Sequence, residues 1–402
     1  MTKEPLNDYF ETYMKKDSFF NDKTPLMSNY LPEIVLHRDE QIKTIANILA
    51  PVLKMERPSN LFIYGKTGTG KTVSVKYVAS EIANVAKKHN TPLKICYLNC
   101  KLKKIADTEY RLVAELARDF GKVIPPTGLP TDEVYNIFYK TLDSEERIVI
   151  LILDEIDQLI KKAGDEILYN LTRINEQLKQ SQVSIIGISN DLVFIDNVDP
   201  RIKSSLSEEE IIFPPYNAVQ IQEILKARAK TAFKKGVIEE GVIEKCSAYA
   251  AREHGDARRA IDLLRVAGEI AERLGARSVH IDHIDEAEKK IERDRVMEIV
   301  STYPKQFQAV IYSIMLLRKK QKEPLYTGEI YEIYKDICNK VNLSQLTQRR
   351  ISDVLGELDM LGLINAKVIS KGRYGRTREI SLSVPTTAIS KIEDTLVSVL
   401  NI

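Results

Sequence analysis

The chain has 402 residues, 44% apolar and 29% charged, with 59 Lys/Arg against 57 Asp/Glu for a net charge of +2. This is ordinary globular composition, enough for two to three domains, and it excludes a disordered chain and one that coats nucleic acid by charge alone. The balance is uneven, however: residues 301–402 hold 15 Lys/Arg and 10 Asp/Glu, a net of +5, which leaves the first 300 residues at −3.

Residues 1–27 are polar and irregular, with Pro5 and Pro25, and read as an extension before the first domain. They hold no apolar h-region or cleavage-type motif, so no signal peptide is expected. A helix from about Leu31 (HRDEQIKTIANILAPVL) leads to a strand at Leu61–Tyr64, a glycine-rich turn and a helix over about Lys71–Lys88. A strand follows at Leu93–Asn99, then helices near 105–120 and 131–142, a strand at Arg147–Leu153, a helix near 164–180 and a strand at Val183–Ser189. Strands alternating with helices indicate a parallel α/β sheet covered on both faces, and the apolar run Ile148–Leu153 suits a central strand but is too short to span a bilayer. The pattern changes at Phe213-Pro214-Pro215-Tyr216, a stiff connector. Residues 217–295 then show almost only helical periodicity. A second change comes at Ser301–Pro304. Beyond it lie helices at about 304–320, 327–340 and 347–361 and two β-like runs, Ile364–Ser370 and Arg378–Val384, the element order of a winged helix-turn-helix. The expected organisation is an extension over 1–27, an α/β nucleotide-binding domain over 28–213, an all-α domain over 214–298 and a winged helix over 299–402.

Cys96, Cys100, Cys246 and Cys338 form no paired CxxC arrangement and read as reduced structural thiols. His280 and His283 share a helix face, but no thiol lies nearby in sequence, and no metal site is expected there.

The most specific motif is Gly65-Lys66-Thr67-Gly68-Thr69-Gly70-Lys71-Thr72, which satisfies GxxxxGK[ST] at every fixed position. Glycines let backbone N–H groups turn inward around phosphate oxygens, and the helix that follows offers its N-terminus to an anion. Lys71 would bridge the β- and γ-phosphates and the Thr72 hydroxyl would ligate Mg²⁺. The second motif, IVILILDEID, ends an apolar strand in Asp154-Glu155. There Asp154 would hold the Mg²⁺ shell and Glu155 would orient or deprotonate the attacking water. The third is Asn190, closing the next strand, where its side chain can touch water or γ-phosphate. Arg201, Arg228, Arg258 and Arg259 have the chemistry to bind phosphate, but their spacing alone marks them as surface or ion-pair residues.

The order GKTGTGKT, LDEID, ISN, DPRIKSSL, IIFPPY, GDARRAIDLLR and a C-terminal winged helix resembles the archaeal initiators of DNA replication. These are AAA+ ATPases related to the eukaryotic origin-recognition subunit one and cell-division-control protein six. The resemblance implies an AAA+ P-loop domain, a helical lid and a DNA-binding winged helix. It gives Lys71, Thr72, Asp154 and Glu155 the Walker roles, Asn190 the sensor-one role and Arg258 the sensor-two role. Tyr216 and Arg228 match lid positions that line the nucleotide, and Arg201 matches the box where relatives carry an arginine finger. It also implies ATP/ADP and Mg²⁺ as cofactors, since the phosphate loop itself does not distinguish adenine from guanine. Double-stranded origin DNA, the replicative helicase and other initiator paralogues are the implied partners, with no membrane and a cytoplasmic, nucleoid-associated location. The looser match at KVIPPTGLPTDEVY marks Lys122 and the turn Thr127-Gly128-Leu129 as candidate DNA contacts.

The C-terminal end also reads physically. On TQRRISDVLGELDML, Ile351, Leu355 and Leu358 share one face while Gln348, Arg349 and Ser352 lie on the other, a recognition helix for the major groove. Arg350 joins them as a candidate contact. The turn from Lys371 to Arg378 packs four cations (Lys371, Arg373, Arg376 and Arg378) with Tyr374 and two glycines into eight residues, a wing that would meet phosphates or the minor groove. The sequence thus indicates an ATP-regulated initiator that binds origin duplex DNA and helps recruit or load the replicative helicase, with slow, switch-like, Mg²⁺-dependent hydrolysis. The alternative is a winged-helix ATPase of the signal-transduction type that regulates transcription, which would be expected to carry long sensor repeats as well.

Overall fold

The computed structural model describes residues 10, 11, 14, 17–101, 108–125, 127–194, 198–206, 208–320, 324–370, 376–384 and 388–402. They form two compact units, Met1–Ile281 and Asp282–Ile402.

In the first unit, helix α1 (Asp39–Leu49) precedes strand β1 (Leu61–Tyr64), helix α2 (Lys71–Lys88) and strand β2 (Leu93–Asn99). Helices α3 (Glu109–Asp119) and α4 (Thr131–Leu142) lead to β3 (Ile148–Asp154), α5 (Ile156–Ala163), α6 (Glu166–Thr172), β4 (Gln182–Ser189), α7 (Pro200–Leu206) and β5 (Glu209–Ile212). The five strands make one parallel sheet in the order β2-β3-β4-β1-β5. Alternation along β3 explains why both faces are covered. Ile148, Ile150 and Ile152 pack with Val75, Val78 and Ile82 of α2, whereas Val149, Leu151 and Leu153 pack with Leu112, Leu116 and Phe138 of α3 and α4. Three elements here depart from the sequence reading. The helix expected near 164–180 shrinks to α6 and a 3-10 turn at Ile174–Glu176, and the preceding α5, which ends at Gly164 with φ 84°, was not expected. Strand β5 was not expected: it is only four residues long with mostly exposed side chains, and its pairing to β1 rather than an apolar pattern makes it a strand.

Prolines 214 and 215 end β5, and three helices follow: α8 (Ala218–Ala232), α9 (Val242–Arg252) and α10 (Ala257–Leu274). A reciprocal capping box starts α8, with Gln220 N donating to Asn217 Oδ1 at 2.9 Å and Asn217 N to Gln220 Oε1 at 3.0 Å. The Asp256 carboxylate caps α10 by accepting from Arg259 N at 3.1 Å.

Part of the N-terminal extension packs on the fold. Residues 18–30 are docked on these helices as a strap: Phe20 and Phe233 form an antiparallel bridge with ring centroids 4.5 Å apart, and Phe19 N donates to Glu272 Oε1 at 2.9 Å. Both rings sit over Gly268, where a Cβ would lie 2.7 Å from Phe20 and 2.8 Å from Phe233. Phe20, Pro25 and Leu26 are buried, and these few apolar residues in a polar stretch are what hold it down.

Helix α11 (Ile281–Thr302) runs through the expected 298/299 boundary, and the composition change at Ser301–Pro304 marks its C-terminal end. The second unit continues with α12 (Lys305–Lys320), β6 (Leu325–Tyr326), α13 (Thr327–Lys340), α14 (Gln348–Met360), β7 (Ile364–Ser370), β8 (Arg376–Leu382) and α15 (Ile389–Leu400). Its sheet is antiparallel, order β6-β8-β7, so the expected two-stranded ribbon has a third, two-residue strand. Tyr334, Ile351, Leu355, Leu358, Ile380, Ile392 and Leu396 form the centre of its core. All four cysteines are buried as free thiols, and burial pushes Cys96 and Cys100 up to about 12, which makes those two inert. Among the described residues no helix is long and apolar enough to cross a membrane.

Candidate functional site

Strands β1, β3 and β4 deliver their C-terminal ends to one edge of the sheet, where open parallel sheets bind ligands. A cavity of about 750 Å³ opens there, lined by Thr67–Thr72, Asp154, Glu155, Asn190, Tyr216, Arg228 and Arg258, by strap residues from Pro25 to Tyr30 and by the following residues 31–36.

The loop after β1 turns through Gly68 at φ 72° and Gly70 at φ 88°, left-handed conformations that glycine adopts without strain. Gly68 is needed for a second reason: a Cβ there would lie 1.8 Å from Asp256 Oδ1. The first turn of α10 is therefore seated directly on the loop, with Ala257 N donating to Gly68 O at 3.2 Å. Behind the loop, the Lys71 ammonium is only 4% exposed and donates to the carbonyls of Gly65 at 2.8 Å and Lys66 at 2.7 Å. No carboxylate lies within salt-bridge distance of it among the described residues. Burial lowers its pKa to about 8, opposed by the nearby Asp154 charge. A buried ammonium satisfied only by its own loop's carbonyls, beside inward-turned backbone, fits a polyanion such as a nucleotide phosphate chain.

Asp154 closes β3 and is 4% exposed. Its Oδ2 accepts from Thr72 Oγ1 at 2.9 Å and from Tyr97 Oη at 2.7 Å, and its Oδ1 accepts from Glu155 N at 3.0 Å. A buried carboxylate beside a threonine hydroxyl at the head of α2 is an oxygen donor set suited to Mg²⁺. Tyr97 was not anticipated from sequence, because an isolated tyrosine in a strand carries no motif. Burial and the Asp154 charge push its pKa up, so it stays a hydrogen-bond donor. Glu155 follows at φ 55°, a left-handed conformation that costs a non-glycine residue energy, with Lys101 Nζ 3.7 Å from its Oε2. Asn190 lies beside them at the end of β4. Asp157, 3% exposed, accepts from Ser189 Oγ at 3.2 Å and from Asn190 N at 3.4 Å, which ties the start of α5 to the end of β4.

The arginines separate. Arg258 is exposed on α10, lines the cavity and makes no hydrogen bond or ion pair among the described residues. Arg228 lines the cavity but donates to Pro25 O at 3.1 Å and lies 4.4 Å over the Tyr30 ring, so it also holds the strap. Arg201 does not line the cavity: it pairs with Asp199 at 2.8 Å two residues away. Arg259 pairs with Glu253 at 3.3 Å.

In the second unit, Thr347 caps α14. Ile351, Val354, Leu355 and Leu358 are buried, Gln348, Arg349 and Arg350 are exposed, and Ser352 is half-buried. Arg350 pairs with Asp353 at 3.5 Å. Arg378 on β8 lies across α14, since a Cβ on Gly356 would meet its Nη1 at 3.2 Å. Lys371, Arg373 and Tyr374 lie outside the described residues, and Arg376 begins β8. Lys122, Thr127, Gly128 and Leu129 lie in the α3–α4 connection. Lys122, Thr127 and Gly128 are exposed and Leu129 packs on the sheet core.

The chain matches three family models in order: an AAA domain over residues 54–195, a Cdc6 AAA+ ATPase-type lid domain over 222–289 and a CDC6 C-terminal winged helix domain over 298–392. It is 52% identical to the ORC1-type DNA replication protein of Thermococcus onnurineus, covering 96% of this chain and 94% of that one. It is 53% identical to the ORC1-type DNA replication protein of Pyrococcus horikoshii, covering 96% and 93%. Among solved structures, it matches the Aeropyrum pernix ORC1 protein in complex with DNA with a TM-score of 0.87 at 44% identity, covering 96% of this chain and 100% of that one. The chain belongs to the family of archaeal ORC1-type DNA replication proteins.

Proposed function

We propose that the protein is an ATP-regulated initiator that binds duplex DNA at replication origins and helps recruit or load the replicative helicase. The observation that carries this reading is the convergence of Lys71, Thr72, Asp154, Glu155, Asn190 and Arg258 on one cavity. The DNA-bound A. pernix ORC1 structure, similar over nearly the whole chain, supports the DNA partner.

The backbone N–H groups of the loop and the Lys71 ammonium bind and orient the β- and γ-phosphates of ATP. Thr72 and Asp154 would hold Mg²⁺, which when bound supplies positive charge against the phosphate oxygens. Glu155 orients the attacking water and accepts its proton, Asn190 holds that water or the γ-phosphate, and Arg258 reaches the γ-phosphate from α10. Because α10 already rests on Gly68, phosphate contacts at Arg258 bear on how the lid helices sit on the loop. Hydrolysis is slow and serves as a switch. Arg201 is the arginine-finger candidate, a role it would fill only on nucleotide held by a neighbouring molecule, because it lies outside this chain's cavity. On DNA, Gln348, Arg349, Arg350 and Ser352 enter the major groove, the Lys371–Arg378 wing tracks the backbone, and Lys122 with the Thr127–Leu129 turn adds a contact from the ATPase domain.

The test is ATP turnover and DNA binding by the wild-type chain beside Lys71→Ala and Glu155→Gln. Lys71→Ala is expected to lose nucleotide binding and turnover, and Glu155→Gln to bind but not turn over. Unchanged turnover in Lys71→Ala removes the nucleotide assignment.

A further inference from the structure

Arg38 stands just before α1, and its side chain is 3% exposed. Nothing in the sequence motifs draws attention to it. Its guanidinium joins two segments far apart in the chain: Nε donates to the Thr69 carbonyl of the phosphate loop at 2.9 Å, and Nη2 donates to the Pro214 carbonyl of the connector at 2.6 Å. A third bond, from Nη1 to the His37 carbonyl at 3.1 Å, fixes the rotation of the group. Its carbon centre lies 3.8 Å from the centroid of the Tyr216 ring, close enough for a cation–π contact. Tyr216 in turn presses on the loop, for a Cβ on Gly70 would lie 2.5 Å from its hydroxyl.

No carboxylate lies within salt-bridge distance of this guanidinium among the described residues. Carbonyl dipoles and a ring face satisfy its hydrogens and leave its charge uncompensated, which is costly in a buried place. Arg38 does not line the cavity, so it does not touch a ligand there. It sits directly behind the backbone that a phosphate would occupy, and a phosphate in the loop supplies the missing negative charge across Thr69 and Gly70. The planar fork holds both carbonyls in one rigid geometry, so a change in the loop passes to Pro214 and from there to the lid helices.

We propose that Arg38 is a positioning residue that couples the phosphate loop to the connector before the lid, so that phosphate in the loop sets the connector's conformation. This rests on the nucleotide reading of the cavity.

The test uses the full chain and hydrogen–deuterium exchange with and without saturating ADP or a non-hydrolysable ATP analogue, with affinities measured alongside. In the wild type, nucleotide slows exchange both in the loop (residues 65–72) and at the Tyr216 and Asn217 amides of the connector. Arg38→Met still binds nucleotide and protects the loop, but its connector response is lost. Arg38→Lys keeps the charge but cannot bridge both carbonyls, so it loses that response too, and it carries the test alone if Arg38→Met does not fold. A connector response of wild-type size in either folded variant overturns the coupling, as does loss of all nucleotide binding by both, which would make Arg38 a binding residue. Failure of the wild type itself to bind nucleotide overturns the nucleotide reading, and the coupling with it.

Discussion

The Tyr97 hydroxyl donates to Asp154 Oδ2 at 2.7 Å, the same oxygen that accepts from Thr72 Oγ1 at 2.9 Å. Lys76 lies 3.8 Å over the Tyr97 ring, so helix α2 steadies the group from the other side. The carboxylate proposed to hold Mg²⁺ is thereby fixed by β2 as well as by helix α2. Tyr97→Phe removes one hydrogen bond to a charged acceptor, a loss of about 1.5–3 kcal/mol. Urea denaturation should show a lower midpoint with an unchanged slope. An unchanged midpoint would mean that water replaces the hydroxyl without cost.

Glu155 occupies a left-handed conformation at φ 55°. Asparagine tolerates that region better, so Glu155→Asn should stabilise the fold by up to about 1 kcal/mol while abolishing ATP turnover. Thermal melts beside turnover assays check both halves. A variant both less stable and inactive would assign the position to packing.

Lys71 titrates near 8 in the free protein, well below the ordinary 10.5, because it is buried. Between those values the unfolded chain binds more protons than the folded one, so this group makes the free protein more stable as pH rises through that window. Bound phosphate favours the charged form, so nucleotide affinity should fall as pH rises above about 8, by up to tenfold per pH unit, with proton uptake on binding. Calorimetry in buffers of different ionisation enthalpy measures that uptake. An affinity flat through this range would contradict the proton linkage.

The strap makes a mechanical prediction. Phe20→Ala empties the space over Gly268 beside Phe233 and should cost about 3 kcal/mol locally. Limited proteolysis should then cut within residues 18–30 faster than in the wild type, and bound nucleotide should slow the cut because strap residues line the cavity. Equal cleavage rates would show that Phe20 does not hold the strap.

For DNA, Arg373→Ala with Arg376→Ala should weaken binding and reduce the salt slope by up to about 2, one for each phosphate that an arginine no longer neutralises. An unaltered slope would count against the wing as a DNA-binding element.

What the sequence revealed, and what it hid, follows from the kind of signal each feature carries. The strand Leu61–Tyr64 and helix Lys71–Lys88 have the expected bounds, because a short apolar run and the glycine motif mark them locally. The strand Glu209–Ile212 is polar and short, and pairing with β1 defines it. The C-terminal helix Ile389–Leu400 was not among the expected elements, although it buries Ile392, Leu396 and Leu400 at helical spacing. Lys71, Asp154 and Asn190 are legible because each sits at a fixed place on a loop or strand end. Arg38 and Tyr97 act through contacts 31 and 57 residues away along the chain, and no local pattern records such distances.

If this chain marks replication start sites, its positions on the chromosome must coincide with them. Genome-wide footprinting of the native protein in its own cells measures that, read against a map of replication starts from the same culture. An origin-binding initiator gives protected sites clustered at those starts, sharing a recurring sequence element. Sites confined to promoters, with none at replication starts, would contradict that role and favour the transcription-regulating alternative.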